Sequence, residues 1–305
     1  MSSKPASQNE RIRYVATADS LAFSRQVAEH LNLDFDADAS AADAPFLLSA
    51  YYRDITSALG PPYSEIQYAD FARRRLEARA AQTASGKPYI QIDQHLDFWT
   101  FGLCLLWSHA ALNGVAASEE ASFDASWIAV LDQGEKGFAH EDVREKIAPY
   151  LTRSGQAIQV AHDLSIACFS AVVCHELSHH RLEHLGKSGS HEIELEADYA
   201  GHLLMRKLYA PESKLELIPR HGYSLAGTWV LLKLIDASER RAAQRVNQMT
   251  RSISKTHPSA TTRLAALSPL FDEALKSSPA LTNFRNGFEV PFQAILQANR
   301  LDVIK

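Results

Sequence analysis

Cysteine is scarce in this chain. The three present, Cys104, Cys168 and Cys174, are odd in number, widely spaced and form no CxxC pair. That argues against a disulfide framework and a thiolate zinc site, and leaves them as small buried hydrophobes. Long apolar runs are also missing from the sequence as read. The longest stretch, Phe98 to Trp107, is interrupted by Thr100 and falls short of the roughly 20 residues that span a bilayer. The first ten residues are polar and lack the apolar core of a signal peptide. No long basic stripe is present: Arg73, Arg74 and Arg75 are flanked by Asp70 and Glu77, and the net charge is -5. Nucleic acid is therefore not an expected partner. Neither an internal repeat nor a low-complexity linker interrupts the chain. The expectation is a cytoplasmic protein without a membrane partner.

What is there is ordinary globular text. An apolar fraction of 46% against 22% charged excludes a disordered chain, and 305 residues suffice for one large domain or two modest ones. Pro45 opens a helix to about Leu59, stopped by Gly60-Pro61-Pro62. A second helix is expected over Ile66 to Ala80. Tyr89 to Asp93 alternates as a short strand, and helical text follows from Leu96 to Leu112. Trp127 to Leu131 reads as another strand, and residues 132–157 as mixed loop and helix. The stretch from Ala161 to His184 is apolar on most sides, the mark of a buried helix. Further helices are expected from Ser190, a good N-cap, to Tyr209, from Ser224 to Val246, and from His257-Pro258 to Leu275. The fold class is α+β, mainly helical with a small sheet. Residues 1–85 form an N-terminal helical region and residues 86–305 the main domain.

One cluster carries chemistry. His175-Glu176-Leu177-Ser178-His179 is an HExxH motif. Residues four apart share a helix face, so both imidazoles can converge on one metal ion. Glu176 lies about 100° round the helix, better placed to take a proton from a water at the metal than to bind the metal itself. Two histidines and a glutamate in an apolar helix are costly without such partners.

A catalytic zinc needs a third protein ligand, and the next helix offers four acids. Glu194, Ala197, Asp198, Gly201 and Met205 share a face whose small residues permit close approach to the metal helix, so Glu194 is the better ligand. Asp198, one turn on, is placed to hydrogen-bond the outer nitrogen of a ligand histidine. Glu192 and Glu196 read as solvated acids at a helix start, and His191 sits too early. His180 and His184 lie about 140° and 180° from His175 on this helix, so neither can join the same metal; they read as residues that support a ligand from behind, lie at the surface or fill the packing. His257 and Arg263, taken alone, would be an ordinary helix start.

These residues resemble a known family. HELSHHRLEH from His175, ELEAD from Glu194 and THPSATTRL from Thr256 resemble the gluzincin prenyl-protein proteases and bacterial heat-shock membrane proteases, whose pattern is HExxH with a further histidine, then ExxAD, then HPxxxxR. A closer likeness, over residues 88–270, is to the phage-exclusion Lit peptidase family, soluble endopeptidases that cut a host translation factor when a phage product is present. The resemblance implies a zincin-like core. It implies Zn2+ held by His175, His179 and Glu194, with Glu176 as general base, and places His257 and Arg263 at the active site. His257 is then suited to donate to the carbonyl oxygen in the transition state, and Arg263 to fix Asp198 or another acid of the ligand helix through a bidentate pair. The substrate would be a protein and the trigger an activating peptide or protein. Two alternatives remain. One is a regulatory peptidase that cleaves repressors, with HExxH and a later ExEA[DN] helix but no HPxxxxR. The other is a non-catalytic zinc-stabilised interaction protein, in which Glu176 would have no purpose.

Overall fold

Secondary structure follows from where apolar side chains are forced together. The computed structural model describes residues 46–71, 76–136, 140–187, 190–246 and 257–302. Helix α1 (Phe46–Leu59) is followed by strands β1 (Gln67–Phe71), β2 (Ala78–Gln82) and β3 (Pro88–Asp93). The remaining helices are α2 (Gln94–Asn113), α3 (Glu120–Lys136), α4 (His140–Leu151), α5 (Gly155–Arg181), α6 (His191–Leu208), α7 (Gly227–Val246), α8 (Ala260–Ser277) and α9 (Pro279–Ala298). The protein is thus mostly helical with one small sheet.

Helix α5 is the axis. It starts at Ser154, whose side chain accepts from the Ala157 N–H, and it is apolar on nearly every side. It packs against α2, α6 and α7 and against β2 and β3. By length and composition it could cross a membrane, unlike the Phe98–Trp107 stretch singled out from the sequence. Yet 83% of its most apolar window lies inside the fold, as expected of a core helix. Around it the fully buried side chains include Trp99, Leu103, Leu106, Trp127, Phe288 and Phe292. All three cysteines are buried and unbridged.

The sheet has the order β1-β3-β2, with β1 parallel and β2 antiparallel to β3. In β3, Ile90 and Ile92 are fully buried, as the alternation predicts. The helix expected over Ile66 to Ala80 is replaced by β1 and β2, because pairing with β3 outweighs local helix propensity. Arg73, Arg74 and Arg75 lie outside the described residues. The expected division at residue 85 falls within this sheet, whose strands come from both sides of it. Residues 1–45 lie outside the described residues. Trp127 to Leu131 is helical, not extended: Trp127, Val130 and Leu131 are buried at i, i+3 and i+4, one face of α3. Helix α8 begins three residues later than expected, capped by Ser259, which accepts from Thr262 N–H. Helix α9 was not anticipated, although Ser278, Pro279 and the buried Phe288, Phe292, Ile295 and Leu296 form a regular capped amphipathic pattern.

Helices α5 and α6 meet at Gly201. A Cβ there would lie 3.0 Å from both the N and Cα of His175 and 3.2 Å from the carbonyl carbon of Cys174. Backbone cannot step aside as a side-chain tip can. Gly201→Ala should therefore destabilise the protein by about 1–3 kcal/mol, although alanine is the better helix former by about 1 kcal/mol. Denaturant unfolding of both forms checks this; a variant more stable than the parent would show that the contact yields freely.

Candidate metal centre

The C-terminal part of α5 carries His175, Glu176 and His179, and the first two turns of α6 carry Glu194 and Asp198. Ser190 caps α6 by accepting from Ile193 N–H, which fixes the register that turns Glu194, Ala197 and Asp198 inward; all three are buried. His175 Nε2 lies 3.1 Å from His179 Nε2 and 3.5 Å from Glu194 Oε2. His179 Nε2 lies 3.8 Å from Glu194 Oε1. Ligand atoms at about 2.0–2.1 Å in a tetrahedral zinc site stand roughly 3.3 Å apart, so the spacing fits such an ion. Among the described residues this is the one trio of histidine, cysteine or carboxylate side chains with ligand atoms within 4.8 Å of one another.

The outer atoms of the two histidines are held separately. His175 Nδ1 sits 2.9 Å from Asp198 Oδ1, a close contact bent away from ideal hydrogen-bond geometry. Asp198 in turn receives Arg263 Nε at 2.7 Å and Arg263 Nη2 at 2.5 Å. His179 Nδ1 lies 3.1 Å from His184 Nδ1, and His184 Nε2 lies 3.2 Å from Glu196 Oε2. His257 Nδ1 lies 3.1 Å from Glu194 Oε2, with a ring 61% exposed. The structure thus brings together His175, Glu176, His179, Glu194, Asp198, His257 and Arg263 from α5, α6, α8 and the segment just before α8.

His184 and Glu196 were placed differently from sequence. Helical phase set His184 opposite His175 on the assumption that the helix runs through it. Instead α5 ends at Arg181, and the His184 N–H donates to the His179 carbonyl at 3.0 Å, a Schellman-type return. Glu183, at φ 54°, occupies the left-handed position that glycine normally takes, a strain of about 1–2 kcal/mol. A glycine there would have announced the turn. Glu196, though largely exposed, is not purely solvated, since it meets His184; Glu192 is exposed. His180 donates from Nε2 to the Tyr89 carbonyl at 2.9 Å and ties α5 to β3.

The electrostatics divide the carboxylates. Burial pushes the Glu176 carboxyl up, with His175 pulling against it and Glu194 adding to it; the Ala80 N–H of β2 donates to Glu176. Burial also opposes ionisation of Glu194, but hydrogen bonds from His175 and His257 outweigh it and hold the group well below the usual range. Asp198 is likewise held down to about 2, burial being overcome by Arg263 and His175. For His175, burial is outweighed by Asp198 and Glu194, and the pKa rises to about 9. Burial and the neighbouring His175 push His179 down to about 4.

No protein-family model matches the chain, and no curated protein or solved structure does either. The site stands on its own geometry.

Arg263→Lys should cost about 1–3 kcal/mol, the value of hydrogen bonds to a buried charge, because lysine cannot reproduce the two-pronged contact with Asp198. Unfolding of the metal-free protein measures it. A loss within 0.5 kcal/mol, roughly the scatter of surface substitutions, would show that the fork carries no stability.

Proposed function

We propose that this protein is a zinc-dependent endopeptidase of the gluzincin type, similar to the Lit family, with a zincin-like core formed by α5, α6 and the sheet. The observation that carries the reading is the convergence of His175 Nε2, His179 Nε2 and the Glu194 carboxylate at ligand spacing, while the buried Glu176 stands beside them outside the ligand set. A zinc ion bound there would supply Lewis acidity, lowering the pKa of a water towards 7 and polarising the scissile carbonyl.

The chain's own residues do the rest. Glu176 is raised by burial, so its carboxylate is a competent proton acceptor, and it then passes the proton to the leaving amine. The Ala80 N–H holds it in place. The Asp93 N–H of β3 donates to the Glu77 carbonyl, and the Thr83 N–H donates to the Lys87 carbonyl just before β3, so by alternation Ala78, Ala80 and Gln82 turn their backbone groups away from β3. This edge, running beside Glu176, is the place where an extended peptide would pair. His257, anchored through Nδ1 to Glu194, is assigned as donor to the developing oxyanion. The class of substrate is a polypeptide; the Lit likeness suggests a host translation factor and an activating peptide or protein. The reading as a zinc-stabilised scaffold leaves Glu176 unexplained, since a base beside a filled structural site serves nothing.

Native mass spectrometry should find one zinc per chain, lost in His175→Ala and His179→Ala. Glu176→Gln should keep the zinc and lose activity by about 10²–10⁴-fold, read as new protein termini in cells expressing each form. Wild type without metal, or a Glu176→Gln protein that generates the same termini at the same rate, would refute the assignment. His257→Ala should retain zinc and lower turnover by about 10²–10³-fold; unchanged turnover would remove His257 from the machinery.

A further inference from the structure

His184 is a buried histidine that the proposed chemistry does not use. Its side chain is 4% exposed, its Nδ1 faces His179 Nδ1 at 3.1 Å and its Nε2 faces Glu196 Oε2 at 3.2 Å. The backbone is bent to bring it there: the chain leaves α5, passes through Glu183 in the left-handed region, and returns with the His184 N–H on the His179 carbonyl.

We propose that His184 and Glu196 form a directional hydrogen-bond chain that positions His179 as a ligand, with His184 as the Nε2–H tautomer and His179 as the Nδ1–H tautomer. The direction follows from the chain's far end. An ionised carboxylate only accepts, so Glu196 requires a hydrogen on His184 Nε2. Neutral His184 then has an acceptor at Nδ1, and the facing His179 Nδ1 must supply the hydrogen. That leaves the lone pair of His179 on Nε2, the atom aimed at His175 Nε2 and Glu194. A hydrogen bond on the outer nitrogen also fixes the ring's rotation and raises its basicity. His175 has the parallel arrangement, its Nδ1 against Asp198. The two ligands are therefore steered by different devices: a buried carboxylate clamped by arginine, and an imidazole leading to an exposed carboxylate. His184 and Glu196 are positioning residues; neither reaches the reacting atoms. The inference rests on the metal-centre reading for its purpose, whereas the tautomers rest on the contacts of a neutral His184 between Glu196 and His179.

The test uses full-length protein labelled with ¹⁵N-histidine, with and without zinc. Two-bond ¹H–¹⁵N correlation should show hydrogen on Nδ1 of His179 and on Nε2 of His184 in both states. His184→Phe should lower zinc affinity by about 10–100-fold in competition with a chelator of known affinity. Glu196→Ala, at an exposed position that does not endanger folding, should lower it by a smaller factor and release His184 from a single tautomer. Glu192→Ala, an exposed acid of the same helix, should leave the tautomers unchanged and serves as the control for lost negative charge. Hydrogen on His179 Nε2 in the metal-free protein would overturn the proposal. So would wild-type zinc affinity in His184→Phe, or equal losses in Glu196→Ala and Glu192→Ala. If wild type binds no zinc, the metal reading fails separately, and the tautomers of the metal-free protein still decide the hydrogen-bond chain.

Discussion

The carboxylate of Asp198 joins three helices. It extends from α6, takes both prongs of Arg263 from α8, and lies against His175 of α5. Its side chain is only 2% exposed, and an unpaired charge so buried would be intolerable. Removing one partner of such a pair typically costs about 3–5 kcal/mol because the other is left stranded, so α8 is bound to the α5–α6 pair by the need to keep Asp198 satisfied. His257 and Pro258 immediately precede α8. The clamp on Arg263 therefore also determines that His257 arrives against Glu194, although about 80 residues separate it from α5. One electrostatic constraint thus assembles a site from distant parts of the chain.

The close packing of α5 and α6 is the other half of that constraint. Asp198 reaches His175 only because Gly201, less than one turn further on, lets the two backbones approach. The same spacing brings Glu194 to both imidazoles. Had α6 carried an alanine there, the shift needed would be a few tenths of an ångström at His175 itself, comparable to the tolerance that metal coordination permits.

Much of this was readable from the sequence because it depends on local period. The four-residue spacing of His175 and His179 and the small-residue face of Glu194, Ala197, Asp198 and Gly201 are properties of single helices, and they pointed to the residues that the structure gathers. The capped starts at Ser190 and Ser154 belong to the same category, although only Ser190 was singled out. What escaped was decided by partners far along the chain. Residues 67–71 and 78–82 fall in a stretch with helix-forming side chains, yet β3 recruits them into a sheet. Trp127 to Leu131 is too short a run for period alone to separate strand from helix, and only its neighbours α2, α7 and α9 settle it. His184 was legible only in part: it reads as a residue that supports a ligand, lies at the surface or fills the packing, and the sequence does not choose among these. Its position depends on a left-handed turn at Glu183, where the residue type gives no warning, so extending the helical phase put it on the wrong side.

The arrangement is expensive in the absence of a cation. Two imidazoles whose Nε2 atoms stand 3.1 Å apart and a carboxylate must be taken largely out of water together, and burial opposes the charged form of each. Such a cost is sustained only where the surroundings leave the side chains no alternative geometry. Here the surroundings are the apolar helix α5 and the capped start of α6, which carry the trio itself, with His184 and His257 brought against it from the turns that flank these helices and α8. Side chains fixed in this way would need little rearrangement to accept an ion, which is how a site can convert stability surrendered in folding into binding. The long apolar run of α5 and the trio His175, Glu176 and His179 near its end are, on this view, one design: the first supplies the burial that offsets what the second costs, and without it the cluster would relax towards solvent and lose its spacing.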